Sequence, residues 1–126
     1  MERLIELIEP NFIYEDQRGS LTQLVREGYS QVNVITSKEG CIRGGHYHKQ
    51  NRETFYVVSG ALRLTVKKDG QSEVYTFRKG AMFTISPFVC HDFVFLSDTL
   101  LVSMYDRGVE LSNGEKDIFV DNSEKK

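Results

Sequence analysis

The chain has 126 residues, 40% hydrophobic and 27% charged, with a formal net charge of −2. A chain of that length buries roughly two thirds of its unfolded surface around one core, so residues 1–126 are expected to form a single domain. Scattered rather than striped basic residues argue against a nucleic-acid partner, and no apolar run nears the roughly 20 residues of a membrane helix.

In chain order, the first periodic segment is Leu4, Ile5, Leu7 and Ile8, read as a strand closed by Pro10 and set in an N-terminal arm over 1–15. Alternation of apolar and polar residues then recurs over Leu21 to Val25, Val32 to Ile35, Phe55 to Val58, Leu62 to Val66, Val74 to Phe77, Phe83 to Ile85, Phe93 to Leu96 and Leu100 to Met104. Period two is the mark of half-buried strands. Turn signals at Gly19, Gly40, Gly60, Asp69-Gly70, Gly80 and Pro87 separate them at the spacing of a sandwich or barrel, so the chain reads as all-β. Asp69-Gly70 predicts the clearest hairpin. Residues 113–126 read as a polar tail.

Met1-Glu2-Arg3 opens without the basic and long apolar regions of a secretory signal, which predicts a cytoplasmic protein. Cys41 and Cys90 are accordingly expected as thiols rather than a disulfide.

The chemistry concentrates in two places. His46 and His48 are two apart, a spacing that on a strand points both imidazoles to one face. Glu53 alternates with apolar Phe55 and Val57, and His91 with Phe93 and Phe95, so both are expected inside. A buried carboxylate needs a partner. Three imidazoles and a carboxylate suit a divalent first-row ion, and the same groups without an ion suit general acid and base work. Isolated core histidines bonded to backbone are the bland alternative, disfavoured because all three face one way.

At this point the residues resemble a family. Gly40, His46, His48, Glu53 and Gly60 stand at the spacing of the first cupin motif, and Gly80, Pro87 and His91 match the second in part, with Phe95 where an asparagine is usual. The resemblance implies a double-stranded β-helix, or jelly-roll, barrel. Asp16-Gln17-Arg18-Gly19 is similar to the leading segment of dTDP-4-keto-6-deoxyhexose 3,4-ketoisomerases, dTDP-4-dehydrorhamnose 3,5-epimerases and the cupin domain of capsular polysaccharide-synthesising enzymes. Arg43-Gly44-Gly45-His46-Tyr47-His48-Lys49 is similar to a stretch shared by the ketoisomerases and the capsular domain, while Tyr47 between the histidines, the four-residue gap to Glu53 and Phe55-x-Val57-Val58-Ser59-Gly60 look most like the capsular domain, which carries a metal.

What this implies is an epimerase or isomerase for a nucleotide-linked 4-keto-6-deoxy sugar in surface polysaccharide synthesis, working by proton abstraction beside the keto group. His46 or His48 would be the base. His46, His48, Glu53 and His91 would hold a divalent metal, zinc first, with iron, nickel or manganese on the same donors, and no organic cofactor is expected. In the metal version Tyr47, Tyr56 or Tyr105 would carry the proton, although alternation turns Tyr47 and Tyr56 outward. Arg18 and Arg43 are the expected contacts to the diphosphate. A metal-dependent oxygenase and a non-catalytic sugar-binding or sensor cupin are the competing readings. Unpaired strand edges and the apolar N-terminal arm predict a homodimer in which the arm pairs with a second subunit.

Overall fold

Alternating side chains on extended backbone point to opposite faces, so each periodic segment can bury one face and leave the other in water. The computed structural model describes residues 3–120, and among them twelve strands and no helix form. They are β1 (Ile5–Ile8), β2 (Phe12–Asp16), β3 (Gly19–Gln23), β4 (Gln31–Ser37), β5 (Ile42–Tyr47), β6 (Glu53–Ser59), β7 (Ala61–Lys68), β8 (Gln71–Arg78), β9 (Met82–Ile85), β10 (Cys90–Phe95), β11 (Thr99–Tyr105) and β12 (Phe119–Val120).

Two five-stranded sheets carry the fold, ordered β1-β9-β6-β11-β4 and β12-β5-β10-β7-β8, while β2 and β3 make a separate hairpin. All their pairings are antiparallel. Between the sheets lies one core, in which Phe83 of the first sheet stacks on Phe77 of the second and Phe55 meets Phe93 of the second edge-on. The β7–β8 connection is the tight turn its sequence predicts: Asp69 and Gly70 both take positive φ, 50° and 81°. That pattern matches the strand twist of a two-residue hairpin.

β1 pairs with β9 of the same chain, Ile5 opposite Ile85, and Ile5 completes the core there. The stretch read as a polar tail takes a definite course. Residues 109–120 form a strap, in which Glu110 bridges Lys116 and Phe119–Val120 joins the edge of β5. Asp117 within it is buried. Residues 121–126 of that expected tail lie outside the described residues. Cys41 is exposed, Cys90 is buried, and no disulfide joins them.

Candidate active site

Strand ends at one rim of the barrel bring the chemistry together. β5 ends beside His46, β10 begins beside His91, and these two residues stand opposite each other in the ladder. Across the barrel Glu53, first in β6, stands opposite Tyr105, last in β11. His48 falls one residue beyond β5, so the predicted strand stops short of it.

The β5–β10 pairing contains a bulge. His46 pairs with His91 and Gly44 with Asp92, leaving Gly45 as the extra residue. A bulge shifts the inward and outward parity of the strand, and so Arg43 and His46, three apart, both stand on the interior face. Gly44 takes a φ of 119°, and a Cβ on it would meet Asp92 Cα at 2.8 Å and the His91 carbonyl oxygen closer still. The ladder that sets His46 against His91 therefore requires glycine there.

The three imidazoles form a triangle with ring centroids 4.9, 5.4 and 5.6 Å apart, and each offers a nitrogen within 4.8 Å of the others. Each has another nitrogen engaged by backbone. His46 bonds Gly44, His91 Nδ1 donates to the Val89 carbonyl at 3.2 Å, and His48 Nδ1 donates to the Asp117 carbonyl at 2.7 Å. A carbonyl can only accept, so Nδ1 of His48 and of His91 carries hydrogen; His91 Nε2 is left without a partner, whereas His48 Nε2 meets the acceptor-only Glu53 carboxylate and donates to it in the ion-free site. Such backbone anchoring orients imidazoles in metal sites.

Glu53, 4% exposed, ties the group together. Its Oε1 lies 3.1 Å from His48 Nε2 and 3.5 Å from His91 Nε2, while its Oε2 accepts the Ser103 hydroxyl at 2.5 Å. Burial alone would push this carboxyl up, but the His48 hydrogen bond, His91 and Ser103 together hold it below the usual carboxylate range. His48 goes the other way: burial opposes its charge, yet the Glu53 and Asp117 hydrogen bonds raise it. Burial lowers His91 to about 4 and, with repulsion from His48, lowers His46. Tyr105 sits with its ring edge-on to His48, 5.1 Å between centroids, and burial with Glu53 beside it raises its phenol.

The donor set fits a divalent ion. His91 Nε2 is buried without a hydrogen-bond partner and faces the other two imidazoles and the carboxylate. An orphaned nitrogen in such company is a site for a cation or a proton.

The arginines stand elsewhere. Arg18 is at the tip of the β2–β3 hairpin, its side chain 80% exposed and forked onto Asp16 at 2.6 and 3.0 Å. Arg43 stands on the interior face but reaches away from the imidazoles, donating to Ser37 Oγ at 2.8 Å and the Thr36 carbonyl at 3.1 Å. Ser37 pairs with Thr99 and Glu53 with Tyr105, six residues or roughly 20 Å apart along β11. Tyr47 turns outward and stacks on Phe119. Sequence reasoning passed over Ser103, Asn51 and Asp117. Period two from Leu101 would have placed Ser103 and Tyr105 on the inner face; nothing local marks the other two.

Residues 14–109 match the family model described as polysaccharide biosynthesis C-terminal domain. A 64-residue stretch is 34% identical to a UDP-2-acetamido-2,6-beta-L-arabino-hexul-4-ose reductase of Pseudomonas aeruginosa, covering 46% of this chain and 17% of that protein, so the match spans about a sixth of its curated relative. Among solved structures, a 3,4-ketoisomerase from Thermoanaerobacterium thermosaccharolyticum in complex with TDP-4-keto-6-deoxyglucose superposes with a TM-score of 0.78 at 18% identity, over 94% of this chain and 88% of that one. The dTDP-4-dehydrorhamnose 3,5-epimerase from Sulfolobus tokodaii gives 0.72 at 21% identity, over 83% and 71%. At such identities the likeness establishes the fold, a jelly-roll cupin barrel. With the family match spanning most of the barrel and its histidine rim, the chain belongs to the polysaccharide biosynthesis C-terminal domain family.

Proposed function

We propose that this chain is an epimerase or isomerase of a nucleotide-linked 4-keto-6-deoxy sugar, moving the proton on the carbon beside the keto group. The observation that supports this best is the rim itself, where three backbone-anchored imidazoles and a phenol surround one buried carboxylate. The fold is shared with a 3,4-ketoisomerase and with 3,5-epimerases, and the relative with 34% identity is named for a UDP-linked hexulose.

Proton removal needs a neutral base that a substrate can reach. His46 is the least buried of the three imidazoles, and burial keeps it neutral, so its outward nitrogen takes the proton. The enolate that forms needs a donor at its oxygen. Tyr105, held protonated by burial and by Glu53, supplies one. Glu53 and Ser103 hold His48 in place behind the reacting groups. Arg43, on the interior face of the same strand as His46, is the cation that meets the diphosphate further along the barrel. In the alternative, metal-bound version, His46, His48, Glu53 and His91 would hold a divalent ion, zinc before iron, nickel or manganese; the ion would supply Lewis acidity at the keto oxygen, and His46 would then not be the base, leaving Tyr105 to move the proton. A homodimer suits the exposed apolar residues of the β2–β3 hairpin, Phe12, Ile13, Tyr14 and Leu21.

The test is hydrogen exchange. Incubated in deuterated water with a dTDP- or UDP-linked 4-keto-6-deoxy sugar, the protein should remove the C3 proton signal, and His46→Asn should abolish the exchange without unfolding the barrel. Absence of exchange with every such sugar would overturn the reading.

A further inference from the structure

The three imidazoles reach the rim on different supports. His46 and His91 stand opposite each other in a sheet ladder, and their backbone anchors, Gly44 and Val89, lie two residues before them. His48 has no ladder beneath it, because it is the first residue past β5 and residues 48–52 pair with no strand. Its carbonyl accepts the Phe88 amide at 2.7 Å, which fixes its main chain but not its ring. The ring is met by Asp117, 69 residues away and beyond the end of the family match at residue 109.

Asp117 holds four consecutive residues at once. Its carbonyl accepts His48 Nδ1 at 2.7 Å. Its Oδ1 accepts the Lys49 amide at 2.8 Å, and its Oδ2 accepts the Gln50 and Asn51 amides at 3.0 Å and Asn51 Nδ2 at 2.8 Å. Asn51, 1% exposed, ties the same turn to the start of the strap by accepting the Arg107 and Gly108 amides at 3.0 and 2.9 Å and donating to the Gly108 carbonyl at 2.8 Å. The Asp117 amide donates to the Val109 carbonyl at 2.7 Å, closing the strap on itself. A carboxylate accepting three backbone amides and a side-chain amide makes strong, directional contacts, and here they seat the carbonyl of the same residue.

The geometry points to Asp117 as a positioning residue: its carboxylate docks the strap on the 49–51 turn, and the carbonyl so placed sets the rotation of the His48 ring within the site. The outer torsion of a histidine has no sharp wells of its own, so contacts at the ring must choose its angle. Asp117 supplies the contact on one side and Glu53 Oε1, at 3.1 Å, the contact on the other, and together they hold the ring edge-on to Tyr105 with 5.1 Å between centroids. The carbonyl is main chain and survives any substitution, whereas the carboxylate that seats it does not. Without the carboxylate the ring keeps only Glu53 and swings about it, away from Tyr105. The placement follows from these contacts whatever the charge on the ring; only its kinetic consequence rests on the proposed isomerase reading.

The experiment is proton NMR of the full chain without substrate, reading nuclear Overhauser contacts between carbon-bound ring protons. The wild type should show a contact between His48 and Tyr105 and another between His46 and His91, whose centroids are 4.9 Å apart. In folded Asp117→Ala the His48–Tyr105 contact should be lost while the His46–His91 contact stays. Asp117→Asn keeps one acceptor oxygen and should restore part of the lost contact, and it decides the matter if the alanine variant does not fold. In kinetics with a dTDP- or UDP-linked 4-keto-6-deoxy sugar, kcat of Asp117→Ala should fall about 10–100-fold with KM nearly unchanged. An undiminished His48–Tyr105 contact in a folded variant, or equal loss of both contacts, would overturn the inference. A wild type with both contacts but no activity would overturn the isomerase reading and leave the positioning role standing.

Discussion

His91 and His48 have ring centroids 5.4 Å apart and share one carboxylate, yet two different regions hold them. His91 belongs to the sheet ladder, paired to His46 on one side and Val66 on the other, with its backbone anchor two residues away. His48 lies outside the strands and takes its position from the strap. Their protonation differs accordingly: burial makes His91 a poor base at about 4, whereas the Glu53 and Asp117 hydrogen bonds outweigh burial at His48 and raise it. Two chemically identical side chains become a poor base and a stronger one through the groups each is tied to.

The largest effect is expected from breaking the ladder side. Gly44→Ala places a Cβ against the backbone of His91 and Asp92 and imposes a left-handed φ on a side chain. The expected loss is roughly 3–5 kcal/mol in chemical denaturation, enough to separate His46 from His91 or to unfold the barrel. A loss below about 1 kcal/mol would show that the bulge is adaptable and the ladder is not what sets the pair.

Acid sharpens the comparison next. His91 titrates near 4 when folded and near 6.5 when unfolded, so the unfolded chain binds more protons between those values and stability falls as pH is lowered through them. The full span corresponds to about 3 kcal/mol. His46 is lowered too and adds in the same direction, and Glu53 adds further loss below its usual range. His48 opposes them only above pH 6.5: its contribution is complete below that value and fades as pH rises through its raised folded value. Ion-free protein followed by denaturation from pH 6.5 to 4 should therefore lose stability throughout. His91→Phe, should it fold, should flatten that slope, and His48→Phe should leave it largely in place.

How much of this could be read beforehand divides along the same line. His46, Glu53 and His91 were legible because each alternates with apolar residues whose burial fixes the face, and the Asp69-Gly70 turn because its φ requirement is written in residue type. The Gly44-Gly45 pair carried the signal of a bulge, which explains how Arg43 shares the inner face with His46. Asp117 was not legible. Its partners are backbone amides, which have no sequence signature, and its charged surroundings from Asn113 onward read as a solvated tail. The apolar pattern of the N-terminal arm shows that it must pair with something, but not with which edge; within the chain that edge is β9. Arg18 sits in the two-residue turn between Asp16 and Gly19, where the Asp16 carboxylate takes up its guanidinium.

The smallest effect tests whether the strap opens as a unit of its own. Phe119 holds it to β5 from outside, stacked on Tyr47 at 5.6 Å with Lys49 Nζ 4.2 Å above its ring. Removing that ring in Phe119→Ala should cost about 1–1.5 kcal/mol. The amides of Lys49, Gln50 and Asn51 are covered by the Asp117 carboxylate, so they exchange whenever the strap lifts, whereas ladder amides such as those of Leu64 and Phe93 wait for the sheets to separate. A cost confined to strap docking should speed exchange at 49–51 about tenfold and leave the ladder unchanged in the same sample. Equal acceleration at both places would mean that strap and barrel open together, and the two histidines would then be held by one cooperative structure instead of two.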